Sequence, residues 1–168
     1  MSKFMMRRQE DFGKFYAHGA AVYHAKQQTL VLLLGSPKAG KTLTATLLAS
    51  MIPEICLMSS MFPNFTMGGT GPEFFTGPPF WFFREEVAET CADFFQGQSP
   101  LRRMTMPGIP GYRETETELL YDVRRRLLPR DKANPREIHL VWPRVGEEGR
   151  PEEVSVDEAA DALNRDMS

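Results

Sequence analysis

Apolar positions change period several times along the chain. Thr29-Leu30-Val31-Leu32-Leu33-Leu34 is an unbroken apolar run. It predicts a strand buried on both faces, as in a parallel sheet. Leu43, Leu47 and Leu48 then recur at helical spacing and predict a helix over 42–51, stopped by Pro53. Ile55, Cys56, Leu57 and Met58 predict a second strand over 54–59, and Ile138 to Trp142 a third, bounded by Pro143. Residues 101–106 offer a fourth. Upstream, 4–28 has helical spacing, with Phe12, Phe15, Tyr16, Gly19, Ala20 and Tyr23 near one face. Residues 84–96 also read as a helix, with Glu85, Glu86, Glu89 and Asp93 opposite Val87, Cys91, Phe94 and Phe95. A further helix is predicted over 114–128, closed by Pro129, and a polar linker over 130–136.

One segment fits neither period. Residues 61–83 hold Phe62, Phe65, Phe74, Phe75, Phe80, Trp81, Phe82 and Phe83 among Pro63, Pro72, Pro78, Pro79 and several glycines. The expectation is a long loop packed on its own core, or one that serves as an acceptor pocket, a base-stacking surface or a partner-docking patch. The organisation expected is an N-terminal helical segment at 1–28, an α/β domain at 29–145 with the aromatic insertion at 61–83, and an acidic, frayed tail at 146–168. Strands alternating with helices predict a three-layer αβα domain with a reduced, mainly parallel sheet.

The chemistry is concentrated between the first strand and its helix. Gly35-Ser36-Pro37-Lys38-Ala39-Gly40-Lys41-Thr42 fits G-x-x-x-x-G-K-[ST] at every fixed position, with Leu43 next. At average composition the fixed positions match by chance in roughly one chain in a few hundred of this length. Gly35 and Gly40 let the backbone curl close, and the helix N-terminus offers N–H groups to phosphate oxygens. Lys41 is the candidate cation and catalytic residue for β and γ phosphates, and Thr42 the candidate hydroxyl ligand for Mg²⁺. Lys38 adds charge nearby. These residues resemble the P-loop NTPase superfamily over about 29–51. The resemblance implies ATP or GTP with Mg²⁺, bound at 35–43 by a phosphotransferase or NTPase.

Such an enzyme calls for an acid at the end of a second apolar strand to hold the metal. The strand at 138–142 ends in Pro143. The best substitute is Asp122, after Leu119-Leu120-Tyr121, though its surroundings read as helix; Asp93 is weaker. Asp122 is therefore the candidate second metal and catalytic acid. Arg124, Arg125 and Arg126 follow it, with Arg124 the candidate catalytic arginine for phosphoryl charge. Arg102 and Arg103 form a second basic pair. Ion pairs of these arginines with Glu118 or Asp122 are the plainer expectation.

Other readings compete. Met104-Thr105-Met106-Pro107-Gly108 has a faint likeness to the D-x-x-G segment of GTPase switches, with Thr105 where Asp belongs, and no N-K-x-D motif follows. Pro37-Lys38-Ala39-Gly40-Lys41-Thr42-Leu43 is similar to the phosphosulfate loop of sulfotransferases, with Lys41 in place of Thr. A degenerate, non-enzymatic P-loop subunit docking through its aromatic segment is a fourth reading.

Bulk properties narrow the partners. The chain has 168 residues and a formal net charge of −2, enough for one domain and without a basic surplus for nucleic acid. Cys56 and Cys91 lack metal-ligand spacing, and two isolated cysteines suit a reducing compartment such as the cytoplasm. Lys3, Arg7 and Arg8 raise organelle import as an alternative, but serine is sparse there and Glu10 follows. No apolar run suffices for a membrane span. His18 and His24 are most simply surface or interface histidines.

Overall fold

Ala20-Ala21-Val22-Tyr23 and Leu30-Val31-Leu32-Leu33 are apolar at every position, so both faces of any strand they form must be covered. A computed structural model shows how. It describes residues 14–16, 19–35, 38–61, 63–68, 71–105, 117–143, 155, 157, 158 and 161. The elements run β1 (Lys14–Tyr16), β2 (Gly19–His24), β3 (Thr29–Leu34), α1 (Lys41–Met51), β4 (Ile55–Met61), β5 (Asn64–Gly68), β6 (Gly71–Phe75) and β7 (Phe80–Arg84). They continue through α2 (Glu85–Thr90), α3 (Ala92–Phe95), β8 (Arg102–Thr105), β9 (Thr117–Asp122), a 3-10 turn at Arg124–Arg126, β10 (Lys132–Ala133) and β11 (Glu137–Val141).

The central sheet has the order β11-β3-β2-β4. β2 is antiparallel to both β3 and β4, so β3 and β4 point the same way with β2 between them. β11 runs parallel to β3. Alternation divides this sheet between two cores. Ala20, Val22, Leu33 and Leu57 face α1 and a cluster with Trp81, Phe83, Phe94, Phe95 and Tyr121. Ala21, Tyr23, Leu30, Leu32, Leu34 and Met58 face the opposite way, onto Phe74, Leu128 and Ala133. The second face is covered by the sheet β1-β5-β6-β10. The first is covered by α1 and by the sheet β7-β9-β8 with α2 and α3. Gly19 begins β2 where a Cβ would lie 2.4 Å from the Leu33 carbonyl oxygen, a contact that no larger residue can make.

The expected three-layer αβα domain with a mainly parallel sheet is therefore corrected. Of the eight strand pairings among the described residues, one is parallel. The helix expected within 1–28 is replaced by β1 and β2 over its described part; residues 1–13, 17 and 18 of that expectation lie outside the described residues. Its aromatic spacing matches a helix, but consecutive residues of β2 serve opposite cores, which a helix cannot do. The helix expected over 114–128 is β9 followed by the 3-10 turn, and the linker at 130–136 contains β10. The aromatic segment 61–83 is not a loop: it holds β5, β6 and β7. β7 explains why no period shows. Trp81 and Phe83 are buried while Phe80 and Phe82 are exposed, so a true alternation of burial is written in residues of one chemical kind.

Other expectations match. β3, α1 and β4 lie within a residue or two of the expected positions, β8 supplies the strand suspected at 101–106, and β11 that at 138–142. The helix at 84–96 is two short helices broken at Cys91. The acidic tail at 146–168 falls outside the described residues apart from 155, 157, 158 and 161. Among the described residues no helix is long and apolar enough to cross a membrane.

Candidate functional site

β3 delivers the chain to Gly35 in the middle of the fold, and α1 carries it away. Gly35 has φ 128° and Gly40 φ 85°, both in the region that glycine tolerates and side chains avoid. Lys38 also has positive φ, at 74°. The two glycines of the motif thus stand where the backbone needs them. Ser36 and Pro37 lie outside the described residues.

α1 starts at Lys41, with Gly40 as its N-cap. The Thr44 N–H donates to the Gly40 carbonyl at 2.8 Å, the first bond of the helix. No side chain caps this end, and its first turn holds no acid. The leading N–H groups of a helix have no partner within it and carry its positive partial charge. An eleven-residue helix whose N-terminus has no side-chain cap and no acid in its first turn among the described residues is suited to an anion.

Lys41 is the buried charge of the site, 9% exposed. Its Nζ donates to the Gly35 carbonyl at 2.6 Å and so ties the two ends of the loop together. Thr42 is half-buried one residue further, and its hydroxyl makes no hydrogen bond among the described residues. Its carbonyl accepts from Thr46 Oγ1 at 2.7 Å. Ala45 and Ala49 anchor α1 in the core, with Leu43 packed beside them. Ala39 is half-buried and Lys38 exposed on the loop.

Asp122 is placed differently from the expectation. It ends the apolar strand β9 and not a helix turn, so the local objection to it disappears. A larger one replaces it: β9 belongs to the sheet β7-β9-β8 and is no neighbour of β3. Its Oδ1 accepts the Arg124 backbone N–H at 2.9 Å, and its Oδ2 lies 3.1 Å from the Arg124 guanidinium. That guanidinium also sits 5.6 Å from the centre of the Phe80 ring. Neither Asp122 nor Arg124 makes a hydrogen bond or ion pair to the loop among the described residues. The structure brings together Gly35 and 38–43, and separately Asp122 with Arg124.

The remaining candidates lie outside the loop and its helix. Arg103 pairs with Glu85, and Arg126 lies 5.3 Å from the Phe94 ring centre. Arg102 and Arg125 are exposed, as is Asp93 on α3. His24 Nδ1 accepts the Gln27 N–H at 3.2 Å and holds the β2–β3 turn. His18 and the 106–108 part of the D-x-x-G likeness fall outside the described residues. Burial pushes the Cys56 and Cys91 thiols up, leaving little nucleophilic thiolate at neutral pH. Among the described residues no three His, Cys, Asp or Glu side chains gather as a metal site.

One feature has no signal in the sequence. A cavity of about 290 Å³ opens between α2, α3 and β9, with Phe95, Leu119 and Tyr121 as its floor and Glu85, Glu89 and Gln98 around it. Burial pushes the Tyr121 phenol up. The segment 61–83, where an acceptor pocket is expected, contributes nothing to its lining. Its parts come from helix and strand residues far apart in sequence, so no local pattern marks it.

No protein-family model matches the chain, and comparison with curated proteins and with solved structures returns no match.

Proposed function

We propose that this protein binds a nucleoside triphosphate through Gly35 to Leu43. The observation that carries the proposal is the closed loop itself. Lys41, the first residue of α1, bridges to the Gly35 carbonyl at 2.6 Å, at a helix N-terminus with no side-chain cap. Phosphate oxygens would take the N–H groups of the first turn, with the Lys41 ammonium as their counter-charge. Mg²⁺ prefers oxygen ligands and keeps several waters, so it needs few protein groups when phosphates supply the rest. The Thr42 hydroxyl fits that role, and the metal would supply charge neutralisation of the phosphates.

Binding is better supported than turnover. The acid with the right strand-end position is neutralised by Arg124 in a different sheet. Slow hydrolysis, or phosphoryl transfer that relies on Lys41 alone, follows from that arrangement. Thermal denaturation with ATP, GTP or adenosine 3′,5′-bisphosphate, each with and without Mg²⁺, tests the proposal. A ligand that binds only the native state raises its melting temperature. A triphosphate with Mg²⁺ should do so, and Lys41→Ala should abolish the shift. No shift with either triphosphate would overturn the proposal. A shift with the bisphosphate alone would transfer the site to a phosphosulfate donor.

A further inference from the structure

We infer that the cavity between α2, α3 and β9 is a binding site for a small organic ammonium ion with a short apolar body. It is separate from the glycine loop, none of whose described residues lines it. Ala88 and Ala92 contribute only a methyl group each to its wall, and that small size leaves about 290 Å³ open beside Phe95, Leu119 and Tyr121. The Phe95 and Tyr121 rings stack with centroids 3.9 Å apart, which gives the floor a rigid aromatic base. After α3 the chain turns back at Gln96 and Gly97, with φ 48° and 75°, and the Gln98 N–H donates to the Phe95 carbonyl at 2.9 Å. That turn brings Gln98 to the rim. An apolar wall with a few convergent polar groups is the usual composition of a small-molecule site.

The polar groups around this floor select the ligand. Tyr121 is 6% exposed, and its hydroxyl makes no hydrogen bond among the described residues. Among those residues Trp142 Nε1 is the one side-chain nitrogen or oxygen that is both sealed from solvent and without a partner. The Tyr121 hydroxyl therefore keeps an opening, and the cavity that Tyr121 lines supplies it. Gln98 Nε2 donates to the Asp122 carbonyl at 3.3 Å, which leaves the amide oxygen as an acceptor. Glu85 is taken by Arg103, whereas the Glu89 carboxylate has no hydrogen bond or ion pair among the described residues. The rim thus offers a carboxylate, an amide oxygen and a hydroxyl. An anion would meet Glu89 while the nearby Arg103 charge is spent on Glu85. A wholly apolar ligand would leave these acceptors unmet. A metal ion needs more ligands than one carboxylate, and no three His, Cys, Asp or Glu gather among the described residues. An ammonium brings three N–H donors and a charge, and its apolar body covers the floor.

Saturation-transfer NMR titrations of the intact protein with benzylamine at neutral pH test the site, with benzyl alcohol and benzoate as probes of similar body. Benzylamine should bind saturably, and the other two more weakly by at least about threefold. Ala92→Leu fills the cavity from an exposed lining position and should abolish binding with the melting temperature unchanged. Glu89→Gln should weaken binding about threefold, as loss of an exposed charge does. Tyr121→Phe removes a hydroxyl that no group of the described protein uses, so it should weaken binding and leave the fold intact. Absence of saturable benzylamine binding would overturn the inference. So would benzyl alcohol or benzoate binding as tightly as the amine, binding that survives Ala92→Leu, or binding indifferent to both Glu89→Gln and Tyr121→Phe.

Discussion

Residues 29–51 and 61–83 are both rich in large apolar side chains, yet one announces its structure and the other hides it. β3 is aliphatic throughout because it is buried on both faces, and its run ends abruptly in the glycines of the loop. Each element there has a local cause. The aromatic segment is split three ways. β5 and β6 lie in the sheet that covers the second face of the centre, whereas β7 lies in the sheet covering the first. Phe65 stacks on Phe74 at 5.0 Å in one core, while Phe83 meets Phe95 edge-on at 5.0 Å in the other. Apolar density thus marks burial only where neighbouring residues differ. When every position is aromatic, the face that counts is set by what packs on it.

Mutations put that contrast to the test. The largest effect is expected inside β7. Phe83→Ala removes a fully buried ring that touches Phe95 and Tyr121, and should cost about 4 kcal/mol in urea unfolding. Loss of no more than a surface residue's worth would place β7 off the core. Gly40→Ala comes next. An added Cβ meets no atom within 4 Å, so the cost is backbone strain alone, about 1–2 kcal/mol at φ 85°. A neutral result would show that the loop is not held as described.

Phe82→Ser should cost well under half of the Phe83→Ala loss, about 1 kcal/mol, since this ring is 36% exposed on the strand that buries its neighbours. The pair Phe83→Ala and Phe82→Ser therefore measures the alternation that hydrophobicity conceals. The smallest effect belongs to β6 and β10. Lys132 donates to both carboxylate oxygens of Glu73, at 2.9 and 2.8 Å, and these bonds hold that carboxyl below its ordinary range. A depressed folded pKa stabilises the protein above the unfolded pKa, and the benefit is lost as pH falls through the folded value. The stability gap between the parent and Lys132→Met should be present at neutral pH and should close below about pH 4. A gap that persists in acid would show that Lys132 acts through packing.

Legibility in the sequence follows the range of the cause. Gly35, Gly40 and Lys41 can be assigned from the chain alone because strand, turn and helix signals all act within a few residues. β2 cannot, because Phe12, Phe15, Tyr16 and Tyr23 happen to fall at helical spacing. The true reason for its apolar run is two separate cores. β9 resembles a helix in the sequence for a similar reason. Leu119 and Tyr121 face inward, but Glu118 is buried as well, which spoils the alternation. Asp122 stands out by its place after an apolar run, while its pairing with Arg124 and its place in a different sheet from β3 leave no mark on the sequence.

The glycine loop from Gly35 to Gly40, the buried strand ahead of it and the helix behind it follow from the order of residues alone. Their causes are steric and electrostatic rules acting over one or two turns of chain. Three other outcomes depend on the packed molecule. β2 slots antiparallel between β3 and β4, the aromatic segment covers both faces of the central sheet, and Asp122 answers to Arg124 and not to the loop. Those outcomes rest on which distant surfaces bury each other, and burial is a property of pairs of segments that neither segment carries alone.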